Sequence, residues 1–187
     1  LTDAIDHAFA FADRQLRQTL ADLGARRDRF PEITNPDGTW KTVGVDTWTA
    51  GFFAGALWQV QQRTAEKYWR LIATEYTKSV ESAKTASDDT GFRIMPSFGG
   101  LYRAMARKED RLVIVAAATS KLAQFNETVG MFRSINAKQP LTTDARANFP
   151  VLMDHTMDLE LIYTAARMQS RPDWAELADR HLVKLAQ

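Results

Sequence analysis

The sequence predicts an all-α protein built of helix hairpins stacked side by side, either around a ring or along a solenoid. Three observations predict it. Apolar residues recur at three- and four-residue spacing along most of the chain, no segment of useful length alternates, and helix pairs return at a loose interval of roughly 50 residues. The chain has 187 residues, enough for one domain with a sizeable core and too few for two comfortable ones. Residues 1–187 are therefore read as a single domain.

The first helix is expected from about Thr2 to Leu23, with Ile5, Phe9, Ala12, Leu16 and Leu20 on one face. Gly24 and Pro31 then open a long loop, in which Asn35-Pro36-Asp37-Gly38 reads as a turn. A second helix should run from Trp48 to Arg63, capped by Asp46 or Thr47, and a third from Ala65 to Ser82. The latter carries Trp69, Ile72, Ala73, Tyr76 and Val80 inward. A polar loop follows from Lys84 to Pro96, then a short helix from Ser97 to Ala106 and another from Asp110 to Phe125. Asn126 to Pro150 is irregular, and the last helices cover Thr156 to Met168 and Asp173 to Ala186, the final one opened by Arg171-Pro172-Asp173.

Composition narrows the function classes. Lys and Arg number 24 against 23 Asp and Glu, so there is no electrostatic footprint for nucleic acid or an anionic membrane surface. No apolar run reaches the ~18 residues needed to span a bilayer. The chain has no cysteine, which excludes disulfides and thiolate metal sites and leaves cytoplasm and periplasm both compatible. It opens at Leu1 rather than Met, on no signal-like segment, as expected when a leader has been removed or the sequence trimmed.

Three connections carry aromatic, glycine and carboxylate residues at the start of a helix, where rigid elements can present chemistry. They are Val45 to Trp58, Asp88 to Phe92, and Phe149 to Glu160. Each candidate also has a structural reading. Asp154 could be a helix N-cap, Asp89 could serve an Asx-turn before Thr90-Gly91, and Trp48 and Trp58 with Phe52 have the spacing of core aromatics. His181 on the last helix reads as structural. A metal site from Asp88, Asp89, Asp154 and His155 is conceivable, but no pair has helical ligand spacing, so no metal and no cofactor are expected.

The three blocks together resemble glycoside hydrolase family 88, the unsaturated glucuronyl hydrolases. Trp48-Thr49-Ala50-Gly51-Phe52 through Gly55, Leu57 and Trp58 is similar to the family's first signature. Asp88-Asp89-Thr90-Gly91-Phe92, continued by Pro96-Ser97-Phe98-Gly99, resembles the second, with Asp88 where the family has His. Asp154, Met157, Leu159 and Glu160 resemble the third, with His155 at a usual Asn; Gln124-Phe125-Asn126 and Gly130 resemble a block between them. The resemblance implies a six-fold α/α barrel, of which this chain supplies about seven helices, roughly the N-terminal half.

It also implies a reaction. Such enzymes remove the 4,5-unsaturated uronic acid that polysaccharide lyases leave at the non-reducing end of an oligosaccharide, by hydrating the ring double bond. By position, Asp154 would be the general acid/base and Asp89 its carboxylate partner, with Trp48, Asp88 and Phe92 binding substrate. Burial of Asp154 beside Val151, Leu152 and Met153 is expected to raise its pKa, and the second carboxylate would act in the same sense. Asp88 removes a cation the family pattern places near an acidic substrate. Half a toroid is expected to expose apolar edges, so the chain should pair with another copy, be completed by a missing C-terminal half, or repack. The alternative reading is a catalytically incomplete half-barrel that binds carbohydrate or serves as a structural partner.

Overall fold

The computed structural model describes residues 2–85, 89–134 and 149–187. Helix α1 (Thr2–Leu23) forms as its periodicity predicts, yet only Thr19 and Leu20 are buried on it, while Ile5 and Phe11 stay exposed. The Asn35–Gly38 turn also forms, with Gly38 at φ +84° and the Asp37 carboxylate accepting from the Thr39 N–H. The segments flanking that turn were expected as loop; they pair instead as antiparallel strands β1 (Phe30–Thr34) and β2 (Trp40–Val43). A register irregularity between Pro31 and Ile33 interrupts the alternation that would have announced them. Phe30 of this hairpin is fully buried, edge-on to Tyr76.

Helices α2 (Ala50–Thr64) and α3 (Lys67–Ser79) pack as a hairpin through Leu57, Trp58, Trp69 and Ala73. A 3-10 turn (Glu81–Thr85) then leads toward α4 (Thr90–Ile94), a π turn (Met95–Gly99) and α5 (Gly100–Met105). These three run on as one rod, because Ile94, Met95, Gly99 and Gly100 all keep right-handed helical dihedrals. The helix therefore starts at Thr90 rather than Ser97. Pro96 explains the difference: it reads as a stop, but the wider i→i+5 spacing of a π turn accommodates a residue that has no N–H to donate.

Helix α6 (Lys108–Leu122) is followed by a minimal ladder of β3 (Phe125–Asn126) and β4 (Met131–Phe132). A 3-10 turn (Met153–Met157) opens α7 (Asp158–Gln169), and α8 (Pro172–Leu185) carries Pro172 in its first turn as expected. Counting α4 to α5 as one rod, the described residues hold seven main helices.

The contacts sort these helices into two layers. Rods α2, α4–α5 and α7 touch one another in that order and form an inner row. Behind them, α1 lies on α2, α3 on α2 and α5, α6 on α4 and α7, and α8 on α7. The fold is an arc of helix hairpins, a partial α/α toroid. Among the described residues no helix is long and apolar enough to cross a membrane.

Two glycines set how closely the inner row packs. A Cβ on Gly51 would run into the Arg93 backbone, and one on Gly91 would lie 2.5 Å from the Asp158 Cα. The N-terminal ends of α2, α4 and α7 are thus brought backbone to backbone. Of the candidate residues, Trp48, Asp89, Phe92 and Asp154 sit at or just before those ends.

Candidate active site at the inner helix ends

Trp48 lies in a turn just before α2, where Thr47 and Ala50 N–H groups close onto Gly44 and Thr47 carbonyls. The helix begins at Ala50 rather than Trp48, and Thr49, not Asp46 or Thr47, holds the cap position without a side-chain bond. Standing outside the helix, Trp48 keeps 49% of its surface exposed. It meets Phe52 at 5.7 Å and Phe92 at 6.0 Å between ring centroids, both edge-on, and Phe52 meets Phe92 at 6.1 Å. Phe92 is only 6% exposed, so it forms the support beneath the two outer rings. Trp58 is buried, its indole N–H given to Thr77, as a core aromatic should be. Trp48 and Phe52 also line an open groove of about 400 Å³ with Trp40, Pro31 and Leu16.

Asp89 precedes α4 in the left-handed region, at φ +50°, which Asp tolerates better than most residues. Its side chain makes no cap hydrogen bond; it turns to His155, whose Nε2 lies 3.2 Å from Asp89 Oδ1. This contact holds the half-buried Asp89 carboxyl below its ordinary range, against the opposing effect of burial. Arg93 fixes the backbone here: its Nε donates to the Asp89 carbonyl and its Nη1 to the Asp46 carbonyl, both at 3.2 Å. One guanidinium therefore ties the start of α4 to the turn before α2.

The third block behaves differently from its expectation. Asp154 is exposed, and so is Met153 at 73%; the burial expected to raise the Asp154 pKa is not found. The reason is the 3-10 turn. With three residues per turn, positions i and i+3 share a face, so His155 and Asp158 point inward while Asp154 and Met157 point outward. Asp154 is not a cap either, since α7 starts at Asp158 after Met157. Among the described residues it has no hydrogen-bond or ion-pair partner. Asp88 lies outside the described residues.

Beneath Asp89 and His155 sits a charged pair that sequence reasoning missed. Asp158 is fully buried, accepts the Gly91 N–H at 2.6 Å, and has its Oδ2 2.7 Å from the buried Lys121 Nζ. The two charges meet off the hydrogen-bonding direction, so this is an ion pair by distance rather than an aligned hydrogen bond. Lys121 carried a signal: it continues the inward stripe of Val113 and Ala117, where an apolar residue is expected. His181, on α8, accepts the Phe132 N–H at 3.1 Å, a structural contact. Burial pushes its pKa down, aided by Lys121 and His155.

The geometry offers an aromatic face, one ionised carboxylate held by a buried imidazole, and a second carboxylate open to solvent one residue away. Among the described residues no group of three His, Cys, Asp or Glu is arranged to hold a metal ion.

No family model matches the chain. It is 28% identical over 169 residues to an unsaturated glucuronyl hydrolase of Formosa agariphila, covering 88% of this chain and 41% of that protein. It is 20% identical over 174 residues to an unsaturated chondroitin disaccharide hydrolase of Streptococcus pneumoniae, covering 90% and 43%. Among solved structures, it superposes on an unsaturated glucuronyl hydrolase specific for heparin with TM-score 0.86 at 28% identity, over 97% of this chain and 47% of that one. An unsaturated glucuronyl hydrolase of Streptococcus agalactiae, at 18% identity and TM-score 0.82, covers 96% and 45% and shares the fold. The chain thus spans less than half the length of the relatives it matches.

Proposed function

We propose that this chain, homologous in sequence and structure to unsaturated glucuronyl hydrolases over less than half their length, supplies one half of a site that hydrates a 4,5-unsaturated uronic acid. The substrate is the unsaturated sugar at the non-reducing end of a lyase-generated oligosaccharide. The observation that carries this reading is the convergence of Trp48, Asp89 and the Asp154–His155 turn at adjoining N-terminal ends of the inner helices.

In this reading the exposed face of Trp48, propped by Phe92, takes the flat unsaturated ring. Asp154 in its acid form delivers a proton to C4, and its carboxylate then takes a proton from the water that adds at C5. The hemiketal so formed opens to a ketone, and the hemiacetal left at C1 releases the rest of the saccharide as an alcohol. Asp89 stays ionised throughout. The chemistry differs from direct displacement at the anomeric carbon by two carboxylates. Contacts to the uronate carboxylate fall to the other half of the barrel, whether later in the same polypeptide or on a second copy.

The test follows the conjugated double bond. Adding protein that carries both barrel halves to lyase-generated disaccharides should abolish the uronate absorbance. A folded protein of that kind that leaves the absorbance unchanged overturns the reading. The exposure of Asp154 favours one alternative, a saccharide-binding half-barrel without chemistry; it would quench Trp48 fluorescence saturably while absorbance persists.

A further inference from the structure

The proposed chemistry gives His155 no step of its own, yet this residue is more deeply buried than Asp89 or Asp154. It is 4% exposed. Its Nε2 lies 3.2 Å from Asp89 Oδ1, its Nδ1 3.6 Å from Asp158 Oδ2, and its ring packs against Phe92 at 6.1 Å. The Nδ1 contact is too long for a hydrogen bond, and among the described residues Nδ1 has no hydrogen-bond partner. Behind it, Asp158 is fixed by the Gly91 N–H and by Lys121.

These contacts form a chain of charge from the interior to the solvent edge. Lys121 on α6 faces Asp158 at the start of α7, Asp158 faces His155 in the preceding turn, and His155 faces Asp89 at the start of α4. Arg93 on α4 adds a further cation near Asp89, and His181 on α8 lies on the side of Lys121 and His155. An ionised carboxylate can only accept, so the 3.2 Å contact is a hydrogen bond when Nε2 carries the proton. Phe92 packs against the imidazole ring, Asp158 faces its Nδ1, and Asp89, the more exposed of the two carboxylates, faces its Nε2.

We propose that His155 is a positioning residue for Asp89: seated on the buried Asp158–Lys121 pair, it donates from Nε2 and holds that carboxylate ionised and in one orientation at the edge of the site. In the hydrolase reading, this leaves Asp89 the fixed anion and assigns the proton transfers to Asp154. The role of Asp89 in turnover rests on the hydrolase reading, whereas the coupling between His155 and Asp89 does not need turnover to be seen.

Carbon NMR of the Asp89 carboxyl, in wild type, His155→Gln and His155→Ala, tests the coupling directly. The wild-type carboxyl should titrate below the ordinary Asp range, and both variants should move its midpoint upward, Ala further than Gln. On disaccharide, His155→Ala should lower kcat roughly ten-fold, the effect of losing one charge-assisted hydrogen bond, with KM little changed. The acid limb of its pH profile should move to higher pH. Glutamine keeps an N–H donor, so it should recover part of kcat and bring the acid limb part of the way back. Because an emptied His155 position could unfold the chain, Asp89→Asn gives an independent reading: at fixed pH the His155 Hε1 resonance should shift. An Asp89 midpoint unmoved in folded His155 variants, or an Hε1 resonance unmoved by Asp89→Asn, overturns the proposal. If wild type is inert while the Asp89 midpoint still responds to His155, the coupling stands and the hydrolase reading fails.

Discussion

Between α2 and α3 the buried polar contact is neutral, Trp58 Nε1–H donating to Thr77 Oγ1 at 2.9 Å. Between α6 and α7 it is ionic, Lys121 against Asp158 at 2.7 Å. Both lie behind the inner row, and both are shielded from water. The neutral contact satisfies one donor and one acceptor and closes an otherwise apolar core. The ionic one leaves unused bonding capacity on Lys121, Asp158 and His155. Desolvating two ions costs several kcal/mol each, so an ion pair is a poor device for stability alone. The pair faces His155, which in turn faces Asp89; in the proposed reading, the buried charge seats the histidine that holds that carboxylate.

Breaking each side of this contrast gives graded expectations. Asp154→Asn should reduce turnover by roughly 10²- to 10⁴-fold, the range for loss of a general acid, without changing the urea midpoint, because the side chain is exposed. Lys121→Ala strands the Asp158 carboxylate and should cost about 3–5 kcal/mol in urea unfolding. Trp58→Phe leaves the Thr77 hydroxyl buried without its partner and should cost less, about 1–3 kcal/mol by the same measurement. Trp48→Ala, at a half-exposed ring, should weaken saccharide binding by about 1 kcal/mol in calorimetric titration and barely alter stability.

The smallest effect is a pH dependence with a definite sign. The His181 pKa is lowered in the fold, so the unfolded chain binds its proton first as pH falls below about 6.5. Stability contributed by neutral His181 is therefore present above that pH and is lost as acid is added. Asp89 is likewise lowered. Its contribution is present above about 3.9 and is lost as pH falls through its folded value. Urea midpoints should decline first in the histidine range and again in the carboxylate range, with His181→Gln removing the first decline.

The helices α1, α2, α3, α6, α7 and α8 are legible in the sequence because their apolar residues keep one face over several turns. The start of α4 is not, since Pro96 reads as a terminator until a π turn is admitted. The β1–β2 hairpin hides behind its irregular register at Pro31. At the site, Trp48, Phe92 and Asp89 can be named from sequence, and the structure links them through ring contacts and His155. The outward turn of Asp154 is not legible, because it depends on a 3-10 turn at residues 153–157 rather than on residue type. Lys121 interrupts the inward stripe of Val113 and Ala117, a signal that it is buried, but only packing reveals that Asp158 faces it across α6 and α7.

Gly51 and Gly91 have a consequence for how this surface can be altered. Each lies two or three positions after a rim residue, Gly51 after Trp48 and Gly91 after Asp89, while Asp158, which meets Gly91, lies three after His155. The spacing between the rods is thus fixed by main chain, and the rim side chains stand on a base whose width they do not determine. Rim and base are separable parts. A library that varies positions 48 and 89 can reshape the rim while the seam below keeps its dimensions, and one added methyl at position 51 or 91 would pry that seam apart.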